Sequence, residues 1–264
     1  MVDAMEQIER ALRKAREDRQ WSRPTRLFKD SAWTHPDQNG AVPSKTTKVR
    51  LDPASLKNHR VIAGQIHDPL IDLYRSLRAQ VLQTLAQIGK TSLGITSATH
   101  GEGKTLTAVN LALAIAMDVK HTVLLVDADL RMPSVARYLG INPALGLSDY
   151  LTGEAEIPDC LLRADKERLS ILPARSHVGN SAELLTSPRM MQLAAELKAR
   201  YPDRIVIYDL PPLLSIGDTI GFLPSVDATL LVVKDGATRT AELTRAVELL
   251  SDHKLIGTVL NATQ

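Results

Sequence analysis

Short apolar runs rich in valine, isoleucine and leucine recur along the chain and are typical of buried β-strands. They cover Leu93–Ser97, Thr122–Ala128, Leu169–Pro173, Arg204–Leu210, Ala228–Lys234 and Ile256–Leu260. Stretches with helical periodicity lie between them, at Lys104–Met117, Pro188–Arg200 and Thr240–Ser251. This alternation predicts an α/β fold with a mostly parallel sheet that helices cover on both faces.

The first 60 residues follow a different pattern. Residues 4–19 place small and apolar side chains on one helical face, with charges opposite, and predict a short amphipathic helix. About Gln20–Leu56 the chain is polar, carries four prolines and shows no periodicity, which is typical of a linker. Helical spacing returns over Asp68–Leu82. We therefore predict an N-terminal helix and a flexible basic linker over residues 1–59, and one large domain over residues 60–264.

Composition narrows the function classes. With 264 residues and 44% apolar content, the chain can bury a sizeable core. No apolar stretch reaches the ~18 residues that a membrane span needs, and the N-terminus lacks the apolar run of a signal peptide, so a cytoplasmic location is expected. The single cysteine, Cys160, excludes an intrachain disulfide and a CxxC metal site.

Charge is distributed unevenly along the chain. The net charge is +2, yet residues 1–60 hold 13 Lys and Arg against 8 Asp and Glu, which leaves 19 against 22 in the remainder. The basic segment suits contact with an anionic membrane surface or a partner protein, or else a solvated tether. The acidic balance of the large domain, without an aromatic and basic groove, argues against nucleic-acid binding.

The strand that ends near Ser97 continues into ATHGEGKT, and a helix follows. This is the setting of a Walker A loop, with Ala98 in place of the first glycine of GxxxxGK[ST]. Glycines let backbone N–H groups curl around phosphate oxygens, and the helix N-terminus adds its positive dipole end. We expect Lys104 to reach the β- and γ-phosphates of ATP, and the Thr105 hydroxyl to bind Mg²⁺. The predicted nucleotide-binding residues of this loop are His100, Gly101, Glu102, Gly103, Lys104, Thr105 and Leu106.

Two further strands end in carboxylates. VLLVDADLR places Asp127 and Asp129 at the end of one buried strand, with Arg131 just beyond, and IVIYDLPP places Asp209 at the end of another. Ligands of open α/β sheets bind at the carboxyl edge, so we expect these strand ends and the loop to form one crevice. A single aspartate at a strand end is more often a turn or helix cap. Beside a P-loop, we interpret Asp127 and Asp209 as Mg²⁺ ligands together with Thr105.

A Walker A loop, a DxDxR motif and a Walker B strand ending in DxPP together resemble the bacterial tyrosine kinases of polysaccharide export, the autokinases of capsule and exopolysaccharide loci. The resemblance covers residues 60–264, and DADLRMP is its most specific element. It implies a P-loop NTPase fold shared with division-site and partitioning ATPases, with ATP and Mg²⁺ as cofactors and a protein tyrosine as substrate. The catalytic residues that it implies are Lys104, Asp127, Asp129, Arg131 and Asp209.

The resemblance also implies individual roles. Asp127 is expected to assist Mg²⁺ binding and to accept the hydroxyl proton, and Asp129 to support Asp127. Asp209 is expected to hold the metal ion through water. Asp218 matches a further acidic position of the family, and Asn261, in the terminal GTVLN, is expected to approach the adenine.

On the helix before the P-loop, Asp72, Arg75 and Arg78 lie three residues apart and share one face. The family uses an ExxRxxR motif there to assemble into rings, and here Asp72 replaces the glutamate. The resemblance therefore implies a homo-oligomer with these residues at its interface, whereas the alternative is a surface ion-pair face of little energetic weight. The basic N-terminus resembles the opening segment of kinases encoded with exosortase-type exopolysaccharide loci. This resemblance implies contact with a chain-length-determining membrane protein, a polysaccharide copolymerase, which would hold the kinase at the inner face of the membrane.

The phosphoacceptor is the least defined part of this interpretation. Family members end in a cluster of tyrosines, whereas this sequence ends in Asn261–Gln264, and none of its five tyrosines follows the last helix. Tyr74 and Tyr208 lie in apolar patterns, and Tyr150 is the freest candidate, although its neighbours Leu147 and Leu151 indicate packing as well. The alternatives are a tail beyond residue 264, a separate substrate, or ATP as an assembly switch. The rival class, the partitioning and division-site ATPases, carries a signature lysine where this chain has Thr99. A further alternative is a regulator of the same pathway that binds nucleotide without transferring phosphate.

Overall fold

The computed structural model describes residues 46–62, 70–166, 168–200, 203–215 and 217–261. All of these residues belong to one structural unit, Lys45–Gln264. The amphipathic helix predicted over residues 4–19 lies outside the described residues, as does most of the predicted linker.

Eight strands form one sheet. They are β1 (Thr47–Val49), β2 (Ser92–Ser97), β3 (Thr122–Asp127), β4 (Leu162–Ala164), β5 (Leu169–Leu172), β6 (Arg204–Asp209), β7 (Ala228–Lys234) and β8 (Leu255–Asn261). Their order across the sheet is β1-β4-β5-β3-β6-β2-β7-β8. All neighbours are parallel except β4 and β5, which are antiparallel. The mostly parallel sheet is confirmed, and each of the six predicted strands is found within one residue of its predicted ends.

Helices pack around this sheet. They are α1 (Pro53–Asn58), α2 (Ile71–Gln87), α3 (Lys104–Ala116), α4 (Val135–Leu139), α5 (Leu147–Thr152), α6 (Ile157–Cys160), α7 (Ser181–Leu185), α8 (Pro188–Arg200), α9 (Asp218–Phe222) and α10 (Thr240–Leu249). The predicted helices at α3, α8 and α10 are confirmed. Within the ranges that the structure describes, none of these helices combines the length and the apolar content that crossing a bilayer requires.

Helix α3 is buried along most of its length because its sequence, KTLTAVNLALAIA, is apolar on nearly every side. It packs against β2, β3 and β6 in the centre of the sheet. Core packing of this kind leaves little freedom for the first turn of the helix, where Lys104 and Thr105 are themselves buried. The fold thereby places the first turn of α3, with Lys104 and Thr105, at the carboxyl edge of the sheet.

The register of the central strands brings the acidic strand ends together. Asp127, the last residue of β3, pairs with Asp209, the last residue of β6. Asp209 pairs in turn with Ile95 of β2, close to the start of the P-loop. Because these strands are parallel, both carboxylates and the loop lie at the same edge of the sheet.

Residues 46–59 contradict the predicted linker. Thr47–Val49 form β1, which pairs with β4, and α1 begins at Pro53 after an Asp52 cap whose carboxylate accepts two backbone N–H groups. A short edge strand and a six-residue helix carry too few residues for hydrophobic periodicity to reveal them. Pro53, interpreted as a linker residue, occupies the first turn of the helix, where proline is tolerated. The division of the chain into two parts stays a prediction, but the ordered sheet begins before residue 60.

Candidate functional site

The loop between β2 and α3 has the backbone geometry of a phosphate-binding loop. Gly101 and Gly103 have φ angles of 78° and 95°, in the left-handed region that favours glycine. Gly103 is also the N-cap of α3, so the first backbone N–H groups of that helix have no intrahelical acceptor and are available to an anion. Among the other predicted nucleotide-binding residues, His100 is exposed, Glu102 is buried and Leu106 is half-buried.

Lys104 lies among the carboxylates at the edge of the sheet. Its Nζ is 2.7 Å from Asp129 Oδ2 and 3.5 Å from Asp209 Oδ1. Burial by itself lowers the pKa of this ammonium group, but the negative charges of Asp209 and Asp129 outweigh burial and hold the pKa of Lys104 above its ordinary value. The lysine is therefore charged, and it must leave these carboxylates in order to contact a phosphate.

Thr105 joins the P-loop to the end of β6. Its Oγ1 donates a hydrogen bond to Asp209 Oδ2 at 2.6 Å and lies 3.1 Å from Ser134 Oγ. Ser134 was missed by sequence reasoning, because a serine after a proline has no metal-site pattern of its own. The available signal was its place at the start of α4, seven residues beyond Asp127.

Only one of the two carboxylate oxygens of Asp127 accepts hydrogen bonds from described residues. Its Oδ2 accepts hydrogen bonds from the backbone N–H groups of Ser134 and Val135, both at 3.0 Å. Its Oδ1 is buried and has no hydrogen-bond partner among the residues described. Burial, together with the nearby charge of Asp209, raises the pKa of Asp127 to about 8, and burial likewise raises the pKa of Asp209. The ionised forms of both carboxylates therefore require a neutralising cation.

The donor set fits Mg²⁺. This ion prefers oxygen ligands, and in nucleotide sites it takes one or two carboxylates together with phosphate oxygens and water. Thr105 Oγ1, Asp127 Oδ1 and Asp209 Oδ1 supply such oxygens, and in the described part of the chain neither of the two carboxylate atoms has a hydrogen-bond partner. No three His, Cys, Asp or Glu side chains of the described residues form a group that could hold a metal ion. Phosphate oxygens and water would complete the coordination shell of a bound ion.

The DxDxR motif divides its contacts between two clusters. Asp129 pairs with Lys104 through Oδ2 and accepts a backbone N–H through Oδ1. Arg131 donates from Nε to Asp218 Oδ2 at 2.8 Å, and the Ser181 hydroxyl donates to the same oxygen. Asp129 therefore lies in the lysine and carboxylate cluster. Arg131, predicted to be catalytic, is engaged with a second cluster around the fully buried Asp218.

Asn261, at the end of β8, contacts the P-loop itself. Its Nδ2 donates a hydrogen bond to the main-chain oxygen of Glu102 at 3.0 Å. A Cβ atom at Gly103 would collide with the same Nδ2, so this contact requires glycine at that position. The sequence prediction places Asn261 near the adenine, and the structure shows its side chain against the phosphate-binding loop.

The three residues of the predicted oligomer interface differ in their contacts and in their exposure to solvent. Asp72 and Arg75 form an exposed ion pair on α2, with 2.9 Å between Oδ1 and Nη1. Arg78 donates from Nη1 to the main-chain oxygen of Ala114 at 2.9 Å, and so satisfies a carbonyl near the C-terminal end of α3. Two of the residues thus face solvent, whereas the third ties α2 to the buried helix.

The described tyrosines are not exposed acceptors. Tyr150, the freest candidate in the sequence, is only 1% exposed, and the packing that its leucine neighbours indicate is confirmed. The physical reason is that α5 turns its tyrosine inward along with its leucines, which are buried as well. Tyr208 is fully buried, Tyr74 and Tyr138 are half-buried, and Tyr201 lies outside the described residues.

Comparison with known proteins identifies relatives of this chain. Residues 92–254 match the family model of an AAA domain. The tyrosine-protein kinase YwqD of Bacillus subtilis (strain 168) is 34% identical over 190 residues, which are 71% of this chain and 79% of that protein. The succinoglycan biosynthesis transport protein ExoP of Rhizobium meliloti (strain 1021) is 34% identical over 210 residues, which are 77% of this chain but only 26% of ExoP. The solved kinase domain of the Escherichia coli tyrosine kinase ETK matches with a TM-score of 0.70 at 28% identity, covering 77% of this chain and 80% of that one.

Proposed function

This chain belongs to the bacterial tyrosine-protein kinase family, and we propose that it transfers the γ-phosphoryl group of ATP to the hydroxyl group of a protein tyrosine. The observation that carries the proposal is the contact of Lys104 and Thr105, from the P-loop, with Asp129 and Asp209, from the strand ends. Phosphoryl transfer asks a protein mainly for positioning and for stabilisation of charge. A buried lysine and buried carboxylates at the N-terminus of a helix supply both.

The P-loop binds the phosphates in this proposal. Backbone N–H groups over residues 101–105 surround the β- and γ-phosphate oxygens, and the N-terminus of α3 adds its dipole. The Lys104 ammonium moves from Asp129 to these oxygens, within reach of its flexible side chain. Asn261 holds the loop from the side of β8. The chain therefore contributes one mobile charge and a set of fixed backbone donors.

Thr105, Asp127 and Asp209 are the residues that would hold Mg²⁺. When bound, the metal ion neutralises charge on the β- and γ-phosphate oxygens and so favours departure of ADP. The two backbone N–H groups on Asp127 Oδ2 fix this carboxylate and leave Oδ1 to face the site. The hydroxyl of Thr105 is fixed in turn by Asp209. These contacts orient the ligand oxygens before metal and nucleotide arrive.

The transfer step forms a bond between the tyrosine oxygen and the γ-phosphorus. The bond from that phosphorus to the oxygen bridging the β- and γ-phosphates breaks, and ADP leaves with the electron pair. The phenolic proton passes to a base, for which Asp127 is our candidate because its Oδ1 has no hydrogen-bond partner in the described residues. Loss of a base changes the pH–rate profile, whereas loss of a ligand changes the dependence on Mg²⁺, so kinetics separates the two roles.

The cellular setting is part of the proposal. ExoP is named for succinoglycan biosynthesis and transport, which supports a role of this chain in exopolysaccharide polymerisation and export. We infer a homo-oligomer that uses α2, because the exposed Asp72–Arg75 pair lies beside Leu73, which is 65% exposed. Arg78 would support that face through Ala114 without touching the neighbour. A polysaccharide copolymerase in the membrane would hold the kinase at the cytoplasmic face.

A second candidate function is ATP hydrolysis as an assembly switch. It is favoured by one observation: among the described residues, no tyrosine is exposed. If this also holds for the whole chain, the acceptor must be another molecule, or water must take its place.

The test is transfer from γ-labelled ATP with Mg²⁺, with and without the cytoplasmic segment of the membrane partner. Lys104→Met removes the phosphate-binding ammonium, and Lys120→Met is the matched control, since it removes an exposed lysine from the turn before β3. We expect label on tyrosine in the wild type and the control variant, and none in Lys104→Met. Release of phosphate without protein label would favour the switch and exclude the kinase.

A further inference from the structure

Glu102 places a buried carboxylate inside the loop that receives phosphate. The residue is 2% exposed, and its side chain folds back along the loop. Oε2 accepts the backbone N–H of Ala98 at 3.1 Å. Oε1 accepts the backbone N–H of Thr99 at 3.2 Å and the Thr99 hydroxyl at 2.7 Å. Three donors from the start of the loop thus converge on one carboxylate, and hydrogen bonds to ionised acceptors are among the stronger ones in proteins.

These contacts close residues 98–102 into a ring that is also fixed from outside. The Ser97 hydroxyl donates to the main-chain oxygen of Thr99 at 2.7 Å. The Asn261 amide donates to the main-chain oxygen of Glu102 at 3.0 Å. The base of the loop is therefore held on both sides, and the chain leaves the ring directly into the glycine that caps α3.

Electrostatics alone disfavours a carboxylate at this place. The phosphates of a nucleotide are negative, and like charges repel more strongly where burial lowers the effective dielectric constant. The partners of Glu102 in the described part of the chain are N–H and O–H donors, which carry no net charge to offset its own. Two outcomes are therefore possible. Either the hydrogen bonds of Glu102 strengthen nucleotide binding by more than the repulsion weakens it, or the carboxylate lowers the affinity for nucleotide.

We propose that Glu102 is a positioning residue for the nucleotide phosphates. It acts through the loop: by holding Ala98 and Thr99, it keeps the backbone N–H groups of residues 101–105 turned toward the phosphates before they arrive. A preformed loop loses less conformational freedom on binding than a mobile one, which strengthens affinity. This inference rests on the nucleotide binding in the proposed function and is independent of whether tyrosine is the acceptor.

The proposal predicts the direction in which one substitution changes the affinity for nucleotide. Glu102→Gln keeps the size of the side chain and removes the charge, so affinity for nucleotide rises if repulsion dominates. Affinity falls if positioning dominates, because the amide has one oxygen and its NH₂ group must face a backbone N–H, donor against donor. Thr99→Val removes only the hydroxyl contact and should act in the same direction by less.

The experiment is a titration of the full chain with the fluorescent nucleotide mant-ADP in the presence of Mg²⁺. We expect the Kd to rise about tenfold for Glu102→Gln and about twofold to threefold for Thr99→Val. Glu248→Gln is the matched control, because it removes an exposed carboxylate from the last turn of α10, and its Kd should equal that of the wild type. Far-UV circular dichroism verifies that each variant is folded.

Steady-state phosphorylation gives a readout that a purely structural role would not produce. A positioning role raises KM for ATP and leaves kcat within about twofold, because Lys104 and the metal-binding carboxylates remain in place. General loss of folded protein would lower kcat instead.

Unchanged or tighter mant-ADP binding by Glu102→Gln overturns the proposal. If that variant does not fold, Thr99→Val decides, and an unchanged Kd in it overturns the proposal as well. A wild-type chain that binds no mant-ADP would remove the proposed function itself, so the two failures are distinguishable.

Discussion

Replacing Asp127 with asparagine should change how the stability of the nucleotide-free protein depends on pH. Burial, with the charge of Asp209, raises the pKa of Asp127 from 3.8 to about 8. Between these values the folded carboxyl group keeps a proton that the unfolded chain has lost. The contribution of Asp127 to the free energy of unfolding is therefore fully present below pH ~4 and is lost as pH rises toward the folded pKa. Asp127→Asn removes the titrating group and should remove this loss.

The magnitude follows from the number of protons involved. While the folded and unfolded states differ by one proton, the free energy of unfolding falls by about 1.3 kcal/mol per pH unit. Between pH 5 and pH 7 the loss due to Asp127 is therefore about 2 to 3 kcal/mol. This is a large part of the ~5 to 15 kcal/mol by which domains are stable. Burial also raises the pKa of Asp209, and that carboxyl group is present in both proteins.

Urea unfolding at pH 5, 6 and 7, with EDTA and without nucleotide, measures the effect. We expect the stability of Asp127→Asn relative to the wild type to increase by about 2 to 3 kcal/mol from pH 5 to pH 7. Asp252→Asn, at an exposed position after α10, is the control and should run parallel to the wild type. A difference between Asp127→Asn and the wild type that stays constant over this range would refute the reasoning.

Three further predictions address the loop, the sheet and the acceptor. Gly103→Ala should weaken ATP binding by about tenfold or more, measured by nucleotide titration, because φ is 95° and the Asn261 amide fills the place of a Cβ atom. Burial alone raises the pKa of Asp227, but hydrogen bonds from Ser92 and a lysine charge outweigh it and lower that pKa. In the wild type, the ionised Asp227 stabilises the fold, and this contribution is lost as pH falls through the folded pKa. Asp227→Asn lacks that contribution, so its free energy of unfolding, measured in denaturant titrations, should fall less than that of the wild type from about pH 5 to pH 3. Tyr150→Phe should leave tyrosine phosphorylation unchanged in phosphotyrosine immunoblots, because the ring is 1% exposed.

Each of these predictions can fail in a distinct way. Wild-type ATP affinity in Gly103→Ala would mean that the loop tolerates a Cβ atom despite its backbone conformation. If the free energy of unfolding of Asp227→Asn depends on acid pH as that of the wild type does, the hydrogen bonds to Asp227 do not lower its pKa. Loss of phosphotyrosine in Tyr150→Phe would show that α5 opens during the reaction, since the buried hydroxyl cannot reach a phosphate otherwise.

The centre of the fold and the site were predictable because their determinants are local in sequence. A buried strand, the loop ATHGEGKT and the helix that follows are contiguous, and glycine and lysine spacing carries the chemistry directly. Asp127 and Asp209 are distant in sequence, yet each ends a strongly apolar run. Parallel strands have their carboxyl ends at one edge, so their meeting follows from strand type alone.

Features that depend on tertiary contacts were not predictable. Strand β1 and helix α1 are short, and pairing with β4 and an aspartate cap define them, not periodicity. The partner of Arg78, a carbonyl oxygen on another helix, leaves no pattern in the sequence. The contact between Ser134 and Thr105 was not predictable either, because only the fold brings these two residues together.

If nucleotide binds as proposed, the position of Lys104 between Asp129 and Asp209 makes that binding an exchange reaction. The ammonium group acts as a built-in counter-ion of the carboxylates, and a bound divalent cation would take over that task when the lysine passes to phosphate. Measured affinity for Mg-ATP then reports the difference between two sets of ion pairs and not the strength of either. A substitution that weakens the resting set can therefore tighten binding without adding any contact to the nucleotide.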